Sequence, residues 1–297
     1  MITLAHLSDI HLAPLPKAHI SELVNKRLTG YLNWRLRRHS SLDGLGLAAL
    51  VAHLHEQAAD FTCVTGDLVN LALDAEIAIA LGWLKGIGPV EKVCVSPGNH
   101  DAYLPGTLAR ACASWQGYIA GETMDDRIFP FVRRIGEVAV VSCSSAIATP
   151  PFFSAGDFDA GQAGRLARML RLLGDADYFR VVMIHHPPIV EAENWRTGLR
   201  GAKLFRDVVA EAGAEIVLHG HTHRSTIHAI PGRSGDVPVI GVAAAGTAQN
   251  PEPSDDPARY NLFRIERSGP TWTCSMAEYG FERVGGEIAQ LLQVRIY

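Results

Sequence analysis

Six short apolar runs alternate with longer stretches of helical periodicity along the chain: Ile2–Leu7, Phe61–Val64, Lys92–Val95, Val138–Val141, Arg180–Ile184 and Glu215–Leu218. The intervening stretches include Leu45–Gln57, with apolar residues at 47, 50, 51 and 54, and Gly161–Leu173, with 163, 166, 167 and 170. This alternation predicts an α/β architecture. The residues just beyond the runs narrow it further. Ser8-Asp9-Ile10-His11, Thr65-Gly66-Asp67, Pro97-Gly98-Asn99-His100-Asp101, His185-His186-Pro187-Pro188 and His219-Gly220-His221-Thr222-His223 each begin where a run stops. Ligands of open α/β sheets bind outside the carboxyl ends of the strands, so residues at five such ends can converge although they are distant in sequence.

The converging set is Asp9, His11, Asp67, Asn99, His185, His221 and His223. Two carboxylates, an amide and four imidazoles make an oxygen/nitrogen environment suited to Fe, Mn, Zn or Co. Seven ligands exceed what one tetrahedral ion takes and fit two ions with one shared carboxylate. Asp9/His11 and His221/His223 are i, i+2 pairs, which on extended backbone point the same way. Gly66, Gly98 and Gly220 precede ligands where a chain leaving a strand turns, and a positive φ is expected there. Among the other histidines, His6 reads as a core or ligand-orienting residue, His186 as a substrate contact or a support for His185, and His219 as a core residue or a ligand support. His19, His39, His53, His55 and His228 carry no spacing signal.

The ordered series D-x-H (9–11), G-D (66–67), G-N-H-D (98–101), H (185) and G-H-x-H (220–223) resembles the complete motif set of the calcineurin-like metallophosphoesterases. The H-H-P-P and G-H-T-H forms further resemble the bacterial class III cyclic-nucleotide phosphodiesterases. The resemblance implies a four-layered α/β/β/α sandwich with a dinuclear centre. It implies Asp9, His11 and His223 on one metal, Asn99, His185 and His221 on the other, and Asp67 between them. His100 would contact the phosphoryl or leaving-group oxygen, with Asp101 orienting it. The activity implied is hydrolysis of a cyclic nucleotide or other small phosphodiester by a metal-activated hydroxide. A second enzymatic reading, similar to the hydrolases of UDP-diacylglucosamine, is cleavage of a nucleotide-lipid pyrophosphate at the membrane surface. A non-catalytic binding module on the same fold is the remote alternative, since such modules have eroded ligand sets.

Between Asp-Ile-His and the Leu45 helix, the segment 12–44 exceeds the ~2–6 residues of an ordinary strand-to-helix loop. From Leu12 to Ser40 it carries Lys17, Lys26, Arg27, Arg35, Arg37 and Arg38 against Glu22, a net +5 within a chain of −4, which leaves −9 elsewhere. Apolar residues at 20, 23, 24, 28, 31 and 34 predict an amphipathic helix or helical hairpin, interrupted by Gly30. It reads as a cap that attracts anionic substrate, as an interfacial helix on anionic lipid, or as a solvated charged face.

The acidic net charge argues against binding a nucleic-acid polymer. The opening Met-Ile-Thr-Leu-Ala-His has no secretory character, and Cys63, Cys94, Cys112, Cys143 and Cys274 form no CxxC pair and read as buried thiols. The expected location is the cytoplasm, with peripheral contact at the inner membrane face if the insert binds lipid. Strand-like runs at Ser225–Ile230, Val237–Val242, Tyr260–Glu266 and Thr271–Met276 suggest the second sheet, and 246–257 reads as a surface connection. One domain over 1–297 is expected. Its tail, 281–297, is open between an edge strand and a homodimer contact.

Overall fold

The computed structural model describes residues 1–35, 44–247, 256–282 and 286–297. Two mixed sheets face each other with helices outside both, a four-layered α/β/β/α sandwich. The first sheet contains β1 (Ile2–Leu7), β2 (Phe61–Val64), β3 (Val93–Val95), β13 (Arg259–Ser268), β14 (Thr271–Phe281) and β15 (Ile288–Arg295), in the order β15-β14-β13-β1-β2-β3. The second contains β4 (Glu122–Thr123), β5 (Phe131–Ile135), β6 (Val138–Ser142), β8 (Phe179–Met183), β10 (Ile216–His219), β11 (Thr226–Pro231) and β12 (Asp236–Gly241), in the order β11-β12-β10-β8-β6-β5-β4. A small pair, β7 (Gly156–Asp157) and β9 (Leu199–Arg200), stands apart.

Strand alternation builds the inner layers. Phe179, Val181 and Met183 of β8, with Val138 and Val140 of β6, join the core shared with the first sheet, while Val182, Ala139 and Val141 face the other way. Leu47, Leu50 and Leu54 of α3 (Gly44–Glu56) and Ile77, Ala80 and Leu84 of α4 (Asp74–Ile87) belong to the first core. Leu166 and Leu170 of α6 (Ala160–Asp175), with Phe205 and Val209 of α7 (Ala202–Ala212), cover the second sheet. Between them in sequence, α5 (Thr107–Ser114) comes after β3 and adds Ala111 and Cys112 to the first core. All five cysteines are buried.

The C-terminal strands divide differently from the sequence expectation. Ser225–Ile230 and Val237–Val242 correspond to β11 and β12 of the second sheet, but β13 and β14 extend the first sheet, with β13 antiparallel to β1. Alternation marks a half-buried strand without naming its neighbour, and the edge of β1 is the one β13 completes. In the tail, Ile288–Arg295 is the edge strand β15.

Of the two forms expected for the insert, one helix or a helical hairpin, its described residues show two short helices, α1 (Ile20–Leu23) and α2 (Arg27–Asn33). Its expected stripe therefore splits. Tyr31 and Trp34 turn inward, whereas Ile20, Val24, Leu28 and Leu32 are exposed, at 80, 78, 49 and 50%. Arg27, on the expected apolar stripe, is buried and donates from Nε to the Leu71 carbonyl at 2.9 Å and from Nη2 to the Ala72 carbonyl. Gly30 lies against Tyr103, whose hydroxyl a Cβ there would meet at 2.0 Å. Arg37, Arg38 and Ser40 lie outside the described residues, as does 248–255 of the 246–257 connection. The ends of that connection border the ligand loops: Gly246 donates to the Asp9 carbonyl at 3.2 Å and Asp256 to that of His223 at 3.2 Å.

Candidate metal centre

The carboxyl ends of β1, β2 and β3 from one sheet and of β8 and β10 from the other meet at one edge of the sandwich. Their loops are sewn together by backbone bonds. Asp9 donates to the Gly66 carbonyl at 3.0 Å, His11 to that of Asp67 at 2.9 Å, and Gly220 to that of His185 at 3.0 Å. The close fit explains two glycines. A Cβ on Gly98 would stand 2.2 Å from Asp67 Oδ1 and one on Gly220 1.7 Å from Ser8 Oγ, whereas only Gly66 has the expected positive φ, +97°.

The ligand pairs are not extended. Asp9, His11, Asp67, His221 and His223 have φ of 51, 42, 52, 70 and 55°, in the left-handed region that L-residues rarely enter. Tight turns, rather than strand alternation, aim these side chains together. Nε2 of His223 lies 3.3 Å from Asp9 Oδ1, Nε2 of His185 lies 3.3 Å from Asp67 Oδ2, and Nε2 of His11 lies 4.0 and 3.9 Å from the same two carboxylate oxygens. Three groups formed by these residues, Asp9/His11/His223, Asp9/Asp67/His185 and His11/Asp67/His100, have ligand atoms within 4.8 Å of one another.

Backbone carbonyls set the tautomers. His185 Nδ1 lies 2.6 Å from the Thr65 carbonyl, His11 Nδ1 3.3 Å from that of Val69, His100 Nδ1 2.6 Å from that of Asn70 and His221 Nε2 2.9 Å from that of Thr197. A carbonyl only accepts, so each of these nitrogens carries the hydrogen and the other ring nitrogen is the basic one. Such partners orient metal-binding imidazoles. Asn99 Oδ1 is buried and makes no hydrogen bond, although a buried amide oxygen ordinarily has a donor. A cation supplies what that oxygen lacks, so the donor set fits two metal ions.

His186 forms a fourth group with His185 and His221, but its Nε2 is held by the Ser154 carbonyl at 2.8 Å and its Nδ1 by Ser145 Oγ at 2.7 Å. It supports the site wall. His6 bonds the Thr65 hydroxyl through Nε2 at 2.9 Å, and His219 bonds the Gly220 carbonyl through Nδ1 at 2.9 Å. Asp101 departs from the expectation that it orients His100. Its Oδ1 accepts from Leu68 and Val69 N–H at 3.0 and 3.4 Å, and its Oδ2 from Asp67 and Gly98 N–H at 3.0 and 2.8 Å. The group holding His100 Nδ1 is the Asn70 carbonyl. Asn70 is fixed in turn by Glu76, which accepts from the N–H groups of Asn70, Leu71 and Leu73 at 2.8, 3.0 and 3.0 Å. Neither Asn70 nor Glu76 is among the residues expected at the site. Glu76 sits three positions after Leu73, and with leucine in place of Ser or Thr before α4 no capping-box signature marks it in the sequence.

Charge is concentrated in the cluster. Burial opposes ionisation of Asp67, yet His185 and His100 hold it well below the usual carboxylate range, and His223 does the same for buried Asp9. Burial also opposes the His185 cation, but Asp67 and Asp9 raise that imidazole to about 9. Burial pulls His221 down to about 3, aided by His185, and pushes Asp101 up to about 7, aided by Asp67. Paired carboxylates facing basic imidazole nitrogens are a site prepared for cations.

The calcineurin-like phosphoesterase family matches residues 2–225. The chain belongs to this family. Its members' activity makes it a metal-dependent phosphoric ester hydrolase with a dinuclear centre. Among solved structures, a dimetal phosphatase from Danio rerio superposes with a TM-score of 0.61 at 13% identity, over 100% of this chain and 99% of that one. Purple acid phosphatase PPD1 of yellow lupin (Lupinus luteus) superposes with a TM-score of 0.54 at 10% identity, over 94% of this chain and 51% of that one. At these identities the likeness is one of fold. No curated protein matches the sequence.

Proposed function

We propose that the chain hydrolyses small phosphodiesters, with a cyclic nucleotide among the candidate substrates, as its resemblance to the class III phosphodiesterases suggests. The observation that carries this reading is a cleft of about 240 Å³ that continues from Asn99 and His100 between α2 and Phe152–Ser154. It gives a second ester arm a place beside the phosphoryl site. Asp9, His11 and His223 would hold one ion, Asn99, His185 and His221 the other, and Asp67 both. When bound, two such ions supply Lewis-acid charge for the phosphoryl oxygens and lower the pKa of water.

The chain's own part concerns position and protons. Thr65, Val69 and Thr197 carbonyls fix the ligand rings before substrate arrives, so little reorganisation is left for the reaction. With Nδ1–H on the Asn70 carbonyl, His100 turns Nε2 to the reaction side. Protonated there, it donates to the departing ester oxygen. Asp101 is a positioning residue that ties the loops of Asp67 and Gly98. In the test, His100→Ala retains two metal equivalents while turnover of a methyl ester diester falls by roughly 10²–10⁴. Intact turnover on that poor leaving group would remove His100 from the acid role. A panel of cyclic nucleotides, phosphomonoesters and diesters, run with bis(p-nitrophenyl) phosphate as the general probe, tests the substrate class.

One observation favours the nucleotide-lipid pyrophosphate reading at a membrane surface. Ile20, Val24, Leu28 and Leu32 are exposed apolar side chains on the two helices of the insert and the break between them, close in sequence to Lys17 and Arg35. No helix among the described residues is long and apolar enough to cross a membrane, so contact would be peripheral. Sedimentation with phosphatidylglycerol vesicles at low salt is the measurement, and a protein that stays in the supernatant excludes this reading.

A further inference from the structure

The wall of the cleft beside His100 carries a cation with no counter-charge among the described residues. Lys26 reaches inward from the start of α2. Its Nζ donates to Thr149 Oγ1 at 3.0 Å and lies 4.5 Å from the centre of the Tyr103 ring. Both partners are neutral, and among the described residues no charged group shifts its ionisation. Burial lowers the ammonium to about 8, with no charged neighbour contributing, so it is charged at neutral pH. The next residue shows the other solution to the same difficulty: Arg27 is buried too, and the Leu71 and Ala72 carbonyls occupy its guanidinium. Lys26 has three N–H donors and directs one of them to Thr149, leaving two for a ligand.

The cleft around it is built to be shared with the reaction centre. The Tyr103 ring beneath Lys26 packs against the His100 ring at 5.8 Å, and His100 packs edge-on against His11 at 4.7 Å. Asn99, His100, Lys26, Tyr103, Trp34 and Phe153 all line the same space. A substrate whose phosphoryl group sits at the Asp9–Asp67 cluster therefore extends its leaving group past His100 toward an aromatic wall that ends in an ammonium. A half-desolvated cation whose described partners are all neutral favours an anion there more strongly than a surface lysine does.

We propose that Lys26 binds a second anionic group of the substrate, a carboxylate or phosphate carried by the leaving group, so that the preferred phosphoester bears negative charge on both sides of the bond that breaks. The inference rests on the phosphoester reading above and sharpens it. A cyclic nucleotide, whose single negative charge is the reacting phosphate, leaves Lys26 unused, so the inference ranks it below diesters with an anionic leaving group.

The test compares 4-nitrophenyl leaving groups that carry either a 3-carboxylate or a 3-carboxamide, each prepared as the methyl phosphodiester and as the phosphomonoester. Metal-loaded wild-type protein is expected to favour the carboxylate by tenfold or more in kcat/KM, chiefly through KM. Lys26→Met should remove that preference and Lys26→Arg should keep it. Lys26→Gln replaces the methionine variant if the latter does not fold by circular dichroism. Turnover of monoesters alone would overturn the diester reading while the carboxylate-to-carboxamide ratio still reports on Lys26. Calorimetric binding of the uncleaved esters gives the same comparison without turnover. Equal treatment of the two leaving groups by the wild type, or a preference that survives in folded Lys26→Met, overturns the proposal.

Discussion

Replacing His219 by asparagine should change how stability depends on pH, by an amount the surroundings of the ring fix. His219 closes β10 immediately before the Gly220–His223 turn and is fully buried. Nδ1 must carry the hydrogen, because its partner is the Gly220 carbonyl at 2.9 Å. Nε2 is buried with no hydrogen-bond partner and lies against the backbone of Gly241, where a Cβ would meet it at 2.9 Å. Charging the ring would place an N–H in that unpartnered position. Burial accordingly lowers the imidazole from 6.5 to about 4, with His228 also opposing the cation and the Gly220 carbonyl favouring it.

A difference of one pH unit between folded and unfolded titrations is worth about 1.4 kcal/mol, so this ring contributes roughly 3 kcal/mol. Because the folded value is the lower one, the contribution is complete above 6.5 and is lost as pH falls through 4. Asparagine keeps an amide donor for the Gly220 carbonyl and does not titrate. Urea unfolding of both proteins at matched metal concentration, from pH 7.5 down to 4, isolates the term apart from the smaller effect of the His219 charge on buried His6. The stability advantage of the wild type should shrink by about 3 kcal/mol between pH 7 and 4, with a slope of about 1.2 kcal/mol per pH unit near pH 5. A difference that stays flat with pH would refute the claim that the ring is neutral because it is buried.

Gly98→Ala should displace Asp67, since the new Cβ falls 2.2 Å from its Oδ1, and turnover should fall by about 10² or more with one metal equivalent lost, read by kinetics and elemental analysis. Chelated protein should lose thermal stability between pH 6.5 and 9. His185 is raised to about 9 by Asp67 and Asp9 against burial, so its contribution is complete below 6.5 and disappears as pH rises through 9, whereas metal affinity rises over the same interval as that proton leaves. Arg27→Ala leaves the Leu71 and Ala72 carbonyls without their buried donor, so trypsin should cut within 12–44 several-fold faster than in the wild type while the rest of the chain resists.

The candidate ligands are legible in the sequence because metal chemistry restricts residue type. Asp9, His11, Asp67, Asn99, His185, His221 and His223 stand at strand ends in an order that few other constraints would produce, and the runs before them alternate cleanly enough to place β1, β2, β3, β8 and β10. The partners that hold the ligands are not legible. Thr65, Val69, Asn70 and Thr197 act on the histidines through backbone carbonyls, which every residue possesses, so side-chain identity carries no signal. The insert reads as one stripe because its periodicity continues across the break between α1 and α2, and the buried role of Arg27 depends on carbonyls more than forty residues away. In the sequence, Lys26 is only one of the segment's positive charges. Its distinction, a half-buried position without a carboxylate, exists only after Tyr103 and Thr149 have been brought beside it.

Backbone strain ties the metal centre to the fold. Nine described residues other than glycine have positive φ, and five of them are candidate ligands. Each left-handed residue costs about 1–2 kcal/mol, and such strain persists only where surrounding bonds over-determine it. On extended backbone, residues two apart have their Cα atoms about 6.6 Å apart along the strand. The turn at Asp9–His11 instead brings Asp9 Oδ1 to 4.0 Å from His11 Nε2. The N–H groups of the strained residues are then held by other parts of the site: Asp9 by the Gly66 carbonyl, His11 by that of Asp67, His221 by Asp9 Oδ2 at 2.9 Å, and Asp67 by Asp101 Oδ2 at 3.0 Å. Asp9 therefore orders the His221 turn before any ion arrives, and Asp101 orders the Asp67 turn in the same way. Asp101 accepts from four N–H groups across two loops, so what it contributes is the shape of the loop on which Asp67 sits.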